Sequence, residues 1–362
     1  MATLIEAQPD ALVACPEASR TEAFFAQRGI ATAGTPFRRV VKSRGLREAA
    51  RSAARALLQA RDLRRLIRSH PDRPIVYATS LRAGLIVSLA CFGLRRRVVW
   101  ALWDPMPSPP LALPVRLLAT LRCDLAIACA RHVADGFARG WKGLARKTRV
   151  AHPGINPAPY SAPAADVDEG REDVAVVGSI SRHKRLDLAL EVAARLAPRR
   201  PNFKLHIVGK PQFHRDNWDY LGYLDTEAQR PPLRGHVTLD GFQSDMPAYL
   251  QSLSAVLHCW EDEPFGRIII EAMAAGLAVV APASGGPAEI IEHGRSGLLY
   301  PGGDPAAAAS SLGEVLSDRA AAREMGRRAR ERVEQLFTED AYRARHDQAL
   351  ALVSARDLSE AT

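Results

Sequence analysis

Two glutamates eight residues apart, Glu263 and Glu271, bracket a Pro-Phe-Gly turn at residues 264–266. The apolar run Ile268, Ile269, Ile270 and Met273 predicts a buried helix that begins directly behind Gly266. A helix starting there points unpaired backbone N–H groups and the positive end of its dipole at whatever lies in front. That environment suits a phosphate or an electron-rich sugar oxygen. Helical side chains lean toward the N-terminus, so Glu271, one turn inside, faces the same opening. The spacing alone also fits two surface or capping carboxylates, so the surrounding elements must decide.

Those elements follow a recognisable order. Behind the helix come a short buried strand at 277–282, a glycine turn through Gly285, Gly286 and Pro287, a helix start, and a Gly294/Gly297 turn into Leu298, Leu299 and Tyr300. Upstream, a strand at 173–177 enters the polar loop Gly178, Ser179, Ile180, Ser181, Arg182, His183, Lys184, Arg185 and then a helix at 186–196. A strand, loop and helix carrying a lysine looks like a phosphate-binding loop. Gly-Lys-Ser/Thr is absent, which argues against an ATPase.

This order resembles the donor-binding domain of the family-four retaining glycosyltransferases, whose mark is two glutamates separated by seven residues. The resemblance runs from about Val174 to Phe337 and is looser over the first half of the chain. It implies an α/β chain of GT-B architecture: two Rossmann-like parallel-sheet domains facing a cleft, with a C-terminal helix crossing back to the N-terminal domain. The expected division is an acceptor-side domain at 1–153, a hinge at 154–172, a donor domain at 173–338 and a crossover helix and tail at 339–362. Four prolines and many small residues between 153 and 170 support the hinge independently.

The resemblance also implies roles. Glu263 would hold donor-sugar hydroxyls and Glu271 the ribose hydroxyls. Lys184, Gly178 and the N–H groups near Phe265, Gly266 and Arg267 would meet the diphosphate. Relatives carry an arginine where this chain has Ser179, so Arg182 or Arg185 is the expected substitute. Asp104 ends a strand in Trp-Asp-Pro, and relatives place an Asp or His there to meet the acceptor hydroxyl; a turn-forming Asp before proline is an equal alternative. Gly209 and Lys210, and Phe242 behind Gly241, sit where strand carboxyl ends would frame a nucleobase pocket.

The implied reaction moves a sugar from a nucleotide diphosphate-sugar to a hydroxyl on a glycan, glycolipid or lipid-linked acceptor, in cell-envelope or polysaccharide synthesis. It needs no cofactor and no metal. Two other readings stay open: a non-catalytic subunit of glycosyltransferase form, or another nucleotide-sugar enzyme of the same architecture, such as an epimerase or a phosphorylase.

Composition narrows the setting. The 362 residues are 47% hydrophobic and 25% charged, which fits a globular chain of two domains. Strands are predicted at 75–79, 97–103 and 125–130, alternating with helical patterns, as in a parallel sheet. Between Arg38 and Arg73 stand twelve Lys/Arg against three acids, an excess equal to the whole net charge of +9. An amphipathic helix is predicted there at 45–70, with Leu46, Leu57, Leu58, Leu63, Leu66 and Ile67 on its apolar side. Its arginines are either an ordinary solvated face or a dock for an anionic membrane; no nucleic-acid partner is implied.

The start of the chain lacks the look of a secretion signal. With five scattered cysteines, it fits a cytoplasmic protein, peripheral at the inner face of the membrane. Asp166 and Asp168 spell a metal-binding motif but fall in the expected hinge, where solvated side chains are the simpler reading. The first β-α unit of relatives has no counterpart ahead of the strand at 11–15, which leaves an upstream start or a lost unit as explanations.

Overall fold

The computed structural model describes residues 2–6, 8, 10–36, 46–160, 170–212 and 214–354. Residues 37–45, and residues 161–169 with Asp166 and Asp168, lie outside that set. The chain divides into two compact units: residues up to Ala151 together with those from Arg343 onward, and His152–Tyr342.

In the first unit, α1 (Ala2–Glu6) precedes β1 (Leu12–Pro16), α2 (Arg20–Ala26) and β2 (Ala31–Thr35), and the two strands pair in parallel. Ser19 caps α2 by accepting from the Glu22 N–H. The long helix α3 (Leu46–Arg68) leads to β3 (Ile75–Ala78), α4 (Leu81–Ala90), β4 (Arg97–Leu102), α5 (Ala112–Arg122), β5 (Leu125–Ala128), α6 (Arg131–Ala138), α7 (Lys142–Lys147) and β6 (Thr148–Val150). Strands β3 to β6 form one parallel sheet in sequence order. Near-continuous burial along β4 and β5 is what a parallel sheet requires, because both of its faces are covered.

The apolar side expected for α3 needs correcting. Its buried line passes through Ser52, Ala60 and Ile67, at steps of seven and eight residues, with Leu63 and Leu66 half-buried; Leu57 and Leu58 stand off that line and are exposed. The side chain of Leu46 lies outside the description.

The second unit carries β7 (Glu172–Val177), α8 (Leu186–Leu196), β8 (Phe203–Val208), α9 (Arg215–Ala228), β9 (Val237–Gly241), α10 (Met246–Gln251), β10 (Ala255–Leu257), α11 (Arg267–Ala274), β11 (Ala278–Pro282), α12 (Pro287–Ile290), β12 (Leu298–Tyr300), α13 (Pro305–Ser317) and α14 (Arg319–Leu336). A last helix, α15 (Glu339–Ser354), begins in this unit, and from Arg343 its residues group with the first. The helix α9 lies in a polar stretch of sequence. Tyr220, Leu224 and Ala228, at steps of four, bury one face, and the polar residues between them masked the period.

The six-stranded sheet has the order β12-β11-β10-β7-β8-β9, all parallel. The chain starts at β7, builds outward through β8 and β9, then returns to the other side of β7 with β10. The order therefore reverses between β7 and β10. Their carboxyl ends frame the crevice where ligands bind in open α/β sheets.

Candidate active site

The loops behind β7 and β10 bring together two of the predicted residues from distant parts of the second unit. After β7, Gly178 lies against the aliphatic stem of Lys184, and a short 3-10 turn at Arg182–Lys184 lifts that side chain over the strand ends. After β10, the chain turns through Trp260 to Glu263. The Lys184 Nζ donates to Glu263 Oε2 at 2.7 Å and sits 4.2 Å from the centre of the Trp260 ring. A buried carboxylate facing one ammonium is a charge-assisted pair, strong because water is largely absent from both.

His258 completes this cluster and was not singled out from the sequence. Its Nε2 lies 3.4 Å from the same Glu263 oxygen, without the geometry of a hydrogen bond. Burial pushes its imidazole down to about 4, more than Glu263 pulls it up, with Lys184 adding to the fall. The ring is therefore neutral at physiological pH. His183 stacks edge-on against Trp260 at 4.9 Å and is also lowered, by burial and then by Lys184.

Gly266 stands at the head of α11 with φ +102, where a side chain is strained, and a Cβ there would come within 2.8 Å of the Ile269 side chain. No side chain caps the helix. The Ile269 N–H turns back to the Gly266 carbonyl at 3.0 Å, and the N–H groups ahead of it, with the helix dipole, face whatever sits in front. Phe265 contributes backbone only, since its ring is buried between His152 and Phe337, each about 5.9 Å away. One turn into α11, Glu271 accepts from exposed Arg267 at 3.3 Å; burial raises its carboxyl above the usual range and Arg267 opposes the rise. Tyr160 is a second residue the sequence did not reveal. Burial, then the Glu271 charge, pushes its phenol up to about 12.

Strand ends β7, β8 and β9 are stitched together behind this cluster. Gly178 N–H donates to the Val208 carbonyl, Ile180 N–H to Lys210 and Gly209 N–H to Gly241. A Cβ on Gly209 would lie 1.8 Å from the Gly178 oxygen, so only glycine permits this approach. Lys210 Nζ lies 4.5 Å above the Phe242 ring, beside a cavity of about 580 Å³ lined by Ile180, Gly209, Trp218, Leu239 and Gly241. A larger groove of about 1090 Å³ opens at the opposite, amino ends of β7 and β8 and holds none of the site residues.

The remaining predicted residues of the second unit have other partners. Arg182 lies 5.1 Å over the Tyr220 ring. Arg185 is bound to Asp187 at 3.3 Å and to Glu261 at 3.4 Å, which engages the cation expected to replace the missing arginine. Ser179 offers its carbonyl to Ser181 Oγ at 3.3 Å. Asp104 belongs to the first unit, exposed just past the carboxyl end of β4.

Two parallel-sheet α/β units, one wound in the dinucleotide-fold order with its cation and carboxylate at the switch point, define the GT-B fold of glycosyltransferases. Residues 162–332 match the family described as glycosyl transferases group 1, and this segment is a domain of that group. Among curated proteins the chain is similar to a D-inositol 3-phosphate glycosyltransferase of Streptomyces avermitilis, 30% identical over 248 residues that make up 62% of this chain and 51% of that protein. It is also similar to the N-acetyl-alpha-D-glucosaminyl L-malate synthase of Bacillus anthracis, 36% identical over 97 residues, 27% of this chain and 26% of that one. The chain spans about half the length of the first of these relatives and about a quarter of the second.

Among solved structures it resembles Anabaena Alr3699/HepE in complex with UDP, with a TM-score of 0.81, 23% identity, and coverage of 96% of this chain and 94% of that one. It also resembles the sucrose-phosphate synthase of Thermosynechococcus elongatus, with a TM-score of 0.73, 19% identity and coverage of 97% and 98%. These likenesses show the fold.

Proposed function

We propose that the chain is a retaining glycosyltransferase that moves a sugar from a nucleoside diphosphate-sugar to a hydroxyl acceptor. The observation that carries this reading is the Lys184–Glu263 pair at the switch point, beside the uncapped start of α11. UDP is the favoured diphosphate, because solved structures of the same fold were obtained in complex with UDP and UDP-glucose.

As the bond from the anomeric carbon to the diphosphate oxygen breaks, negative charge grows on the departing phosphate. Lys184 and the N–H groups at 265–267 are fixed positive groups placed to receive it. Glu263 orients Lys184 and holds donor-sugar hydroxyls, and Glu271 accepts from the ribose hydroxyls. The acceptor oxygen attacks from the face the diphosphate leaves, and its proton passes to the leaving phosphate, so the anomeric configuration is kept. Lys210, Phe242 and the adjoining cavity frame the nucleobase. Asp104 meets the acceptor hydroxyl, which belongs to a glycan, glycolipid or lipid-linked saccharide of the cell envelope.

The test is to incubate the protein with UDP-sugars and candidate acceptors and read the product linkage by NMR. An α-linked product from an α-linked donor is expected. A β-linked product, or release of UDP unaffected by Lys184→Met, overturns the reading.

A further inference from the structure

Helix α5 presents the wrong residues to solvent. Its buried positions are the small Ala112, Val115 and Ala119, whereas Leu113, Leu117 and Leu121 stand 54%, 47% and 69% exposed. Steps of four put these leucines on one face, spanning about 12 Å along the helix. Neither charged residue of α5 interrupts them. Arg116 donates to the carbonyls of Gly136 and Phe137, and Arg122 to that of Cys91.

The end of the stripe lies beside the turn that follows α4. Arg64 from α3 donates to the carbonyls of Ala90 and Phe92, at 2.8 and 2.6 Å, and Arg122 reaches Cys91 between them at 2.8 Å. The last turns of α3, α4 and α5 therefore meet, and Phe92 stands 60% exposed at that junction. Lys147 donates to the carbonyls of Thr120 and Cys123 on the far side of Leu121. Arg95, exposed, follows Phe92 in the chain. The apolar patch is ringed by cations; the nearby acids Asp62 and Asp124 are paired, with Arg61 and Arg65 and with Arg97.

A contiguous exposed apolar face on a soluble unit marks an interaction surface. Leucines and a phenylalanine on one side, with lysine and arginine around the rim, are the composition that lies in a lipid interface with its cations on anionic headgroups. We propose that the α4–α5 face, rimmed by Arg64, Arg95, Arg122 and Lys147, inserts into an anionic bilayer. The contact expected from the basic segment alone is electrostatic. This one is chiefly apolar, and it does not depend on which donor or acceptor the protein uses.

The experiment is sedimentation of the full chain with phosphatidylglycerol-containing and pure phosphatidylcholine vesicles. It compares wild type, the double variant Leu117→Glu with Leu121→Glu, and Arg95→Glu, with the cooperative thermal melting transition as a control for folding. Wild type should bind the anionic vesicles and stay partly bound in 1 M salt, where the Debye length is about 3 Å. Losing the two leucines from the lipid contact should weaken partitioning on the order of tenfold or more, and Arg95→Glu should weaken it less. The milder pair Leu117→Gln with Leu121→Gln repeats the test if the glutamates impair folding. Unchanged binding by the leucine variants, complete release of wild type by salt, or absence of binding to anionic vesicles overturns the proposal. So does a wild-type dimer in light scattering that the leucine variants break, since the face would then be a contact between two copies.

Discussion

Replacing Lys184 with Met separates what the lysine does for folding from what it does for chemistry. The side chain keeps its stem over Gly178 and loses only the ammonium, which sits 2.7 Å from Glu263 Oε2. Glu263 is buried and its other close neighbour, His258, is a neutral imidazole, so the variant leaves a carboxylate with no cation to face. Stranding one partner of a buried pair costs about 3–5 kcal/mol. Partial exposure of the Lys184 side chain brings the expected loss below that range, to about 2–3 kcal/mol. Adding Glu263→Gln removes the stranded charge and should return most of that stability.

Turnover behaves differently. The bound diphosphate is already anionic, but the further charge that Lys184 meets grows only as the donor bond breaks, and losing one such group costs roughly a hundred- to a thousandfold in kcat. Urea denaturation and steady-state release of UDP from UDP-sugars, measured on Lys184→Met, Glu263→Gln and the double variant, give both readouts. The double variant should be stable and inactive. Full turnover in Lys184→Met, or a double variant no more stable than the single, would refute the reasoning.

Three further outcomes follow from the same geometry. Burial disfavours the charge on Glu271, so Glu271→Gln should raise the melting temperature of the free protein while abolishing most of the UDP-induced shift; a lower melting temperature with donor binding intact contradicts this. His258 and His346 are both lowered to about 4 by burial, so between about pH 6.5 and 4 the unfolded chain takes up protons that the folded one refuses. Stability present above pH 6.5 is therefore lost as the pH falls through that window, by about 3 kcal/mol for a fully buried imidazole, and His258→Gln should flatten the slope. Gly266→Ala should cost about 1–3 kcal/mol in denaturation from the left-handed backbone and the clash with Ile269, and should weaken nucleotide binding with it; wild-type stability would show that the turn relaxes freely.

Much of the site is legible in the sequence because its elements have strong local signals. The apolar run behind Gly266 fixes α11, and with it the placing of Glu271. The strand and polar loop at 173–185 put Lys184 at a carboxyl end. What the sequence does not carry is the meeting of two loops 79 residues apart, which follows only from the strand order that seats β10 beside β7. His258 escapes a sequence reading although it stands just past the strand leading to Glu263, the same positional signal that draws notice to Asp104. Tyr160 lies past an irregular stretch with no period to read. Arg185 looked available for a diphosphate because its engagement with Glu261 is a contact across the fold. The leucines of α5 scan as an ordinary amphipathic helix, and only their exposure shows that the small residues face the core.

Calorimetric titration of wild type and Lys184→Met with a panel of nucleoside diphosphates tests the central claim, that the switch point of the second unit is a diphosphate site, most directly. One diphosphate, UDP by expectation, should bind wild type with a single site. Its affinity should fall on the order of a tenfold or more without the ammonium, as for the loss of a charge-assisted hydrogen bond. Absence of binding by every diphosphate, or equal affinity in both proteins, would contradict the account.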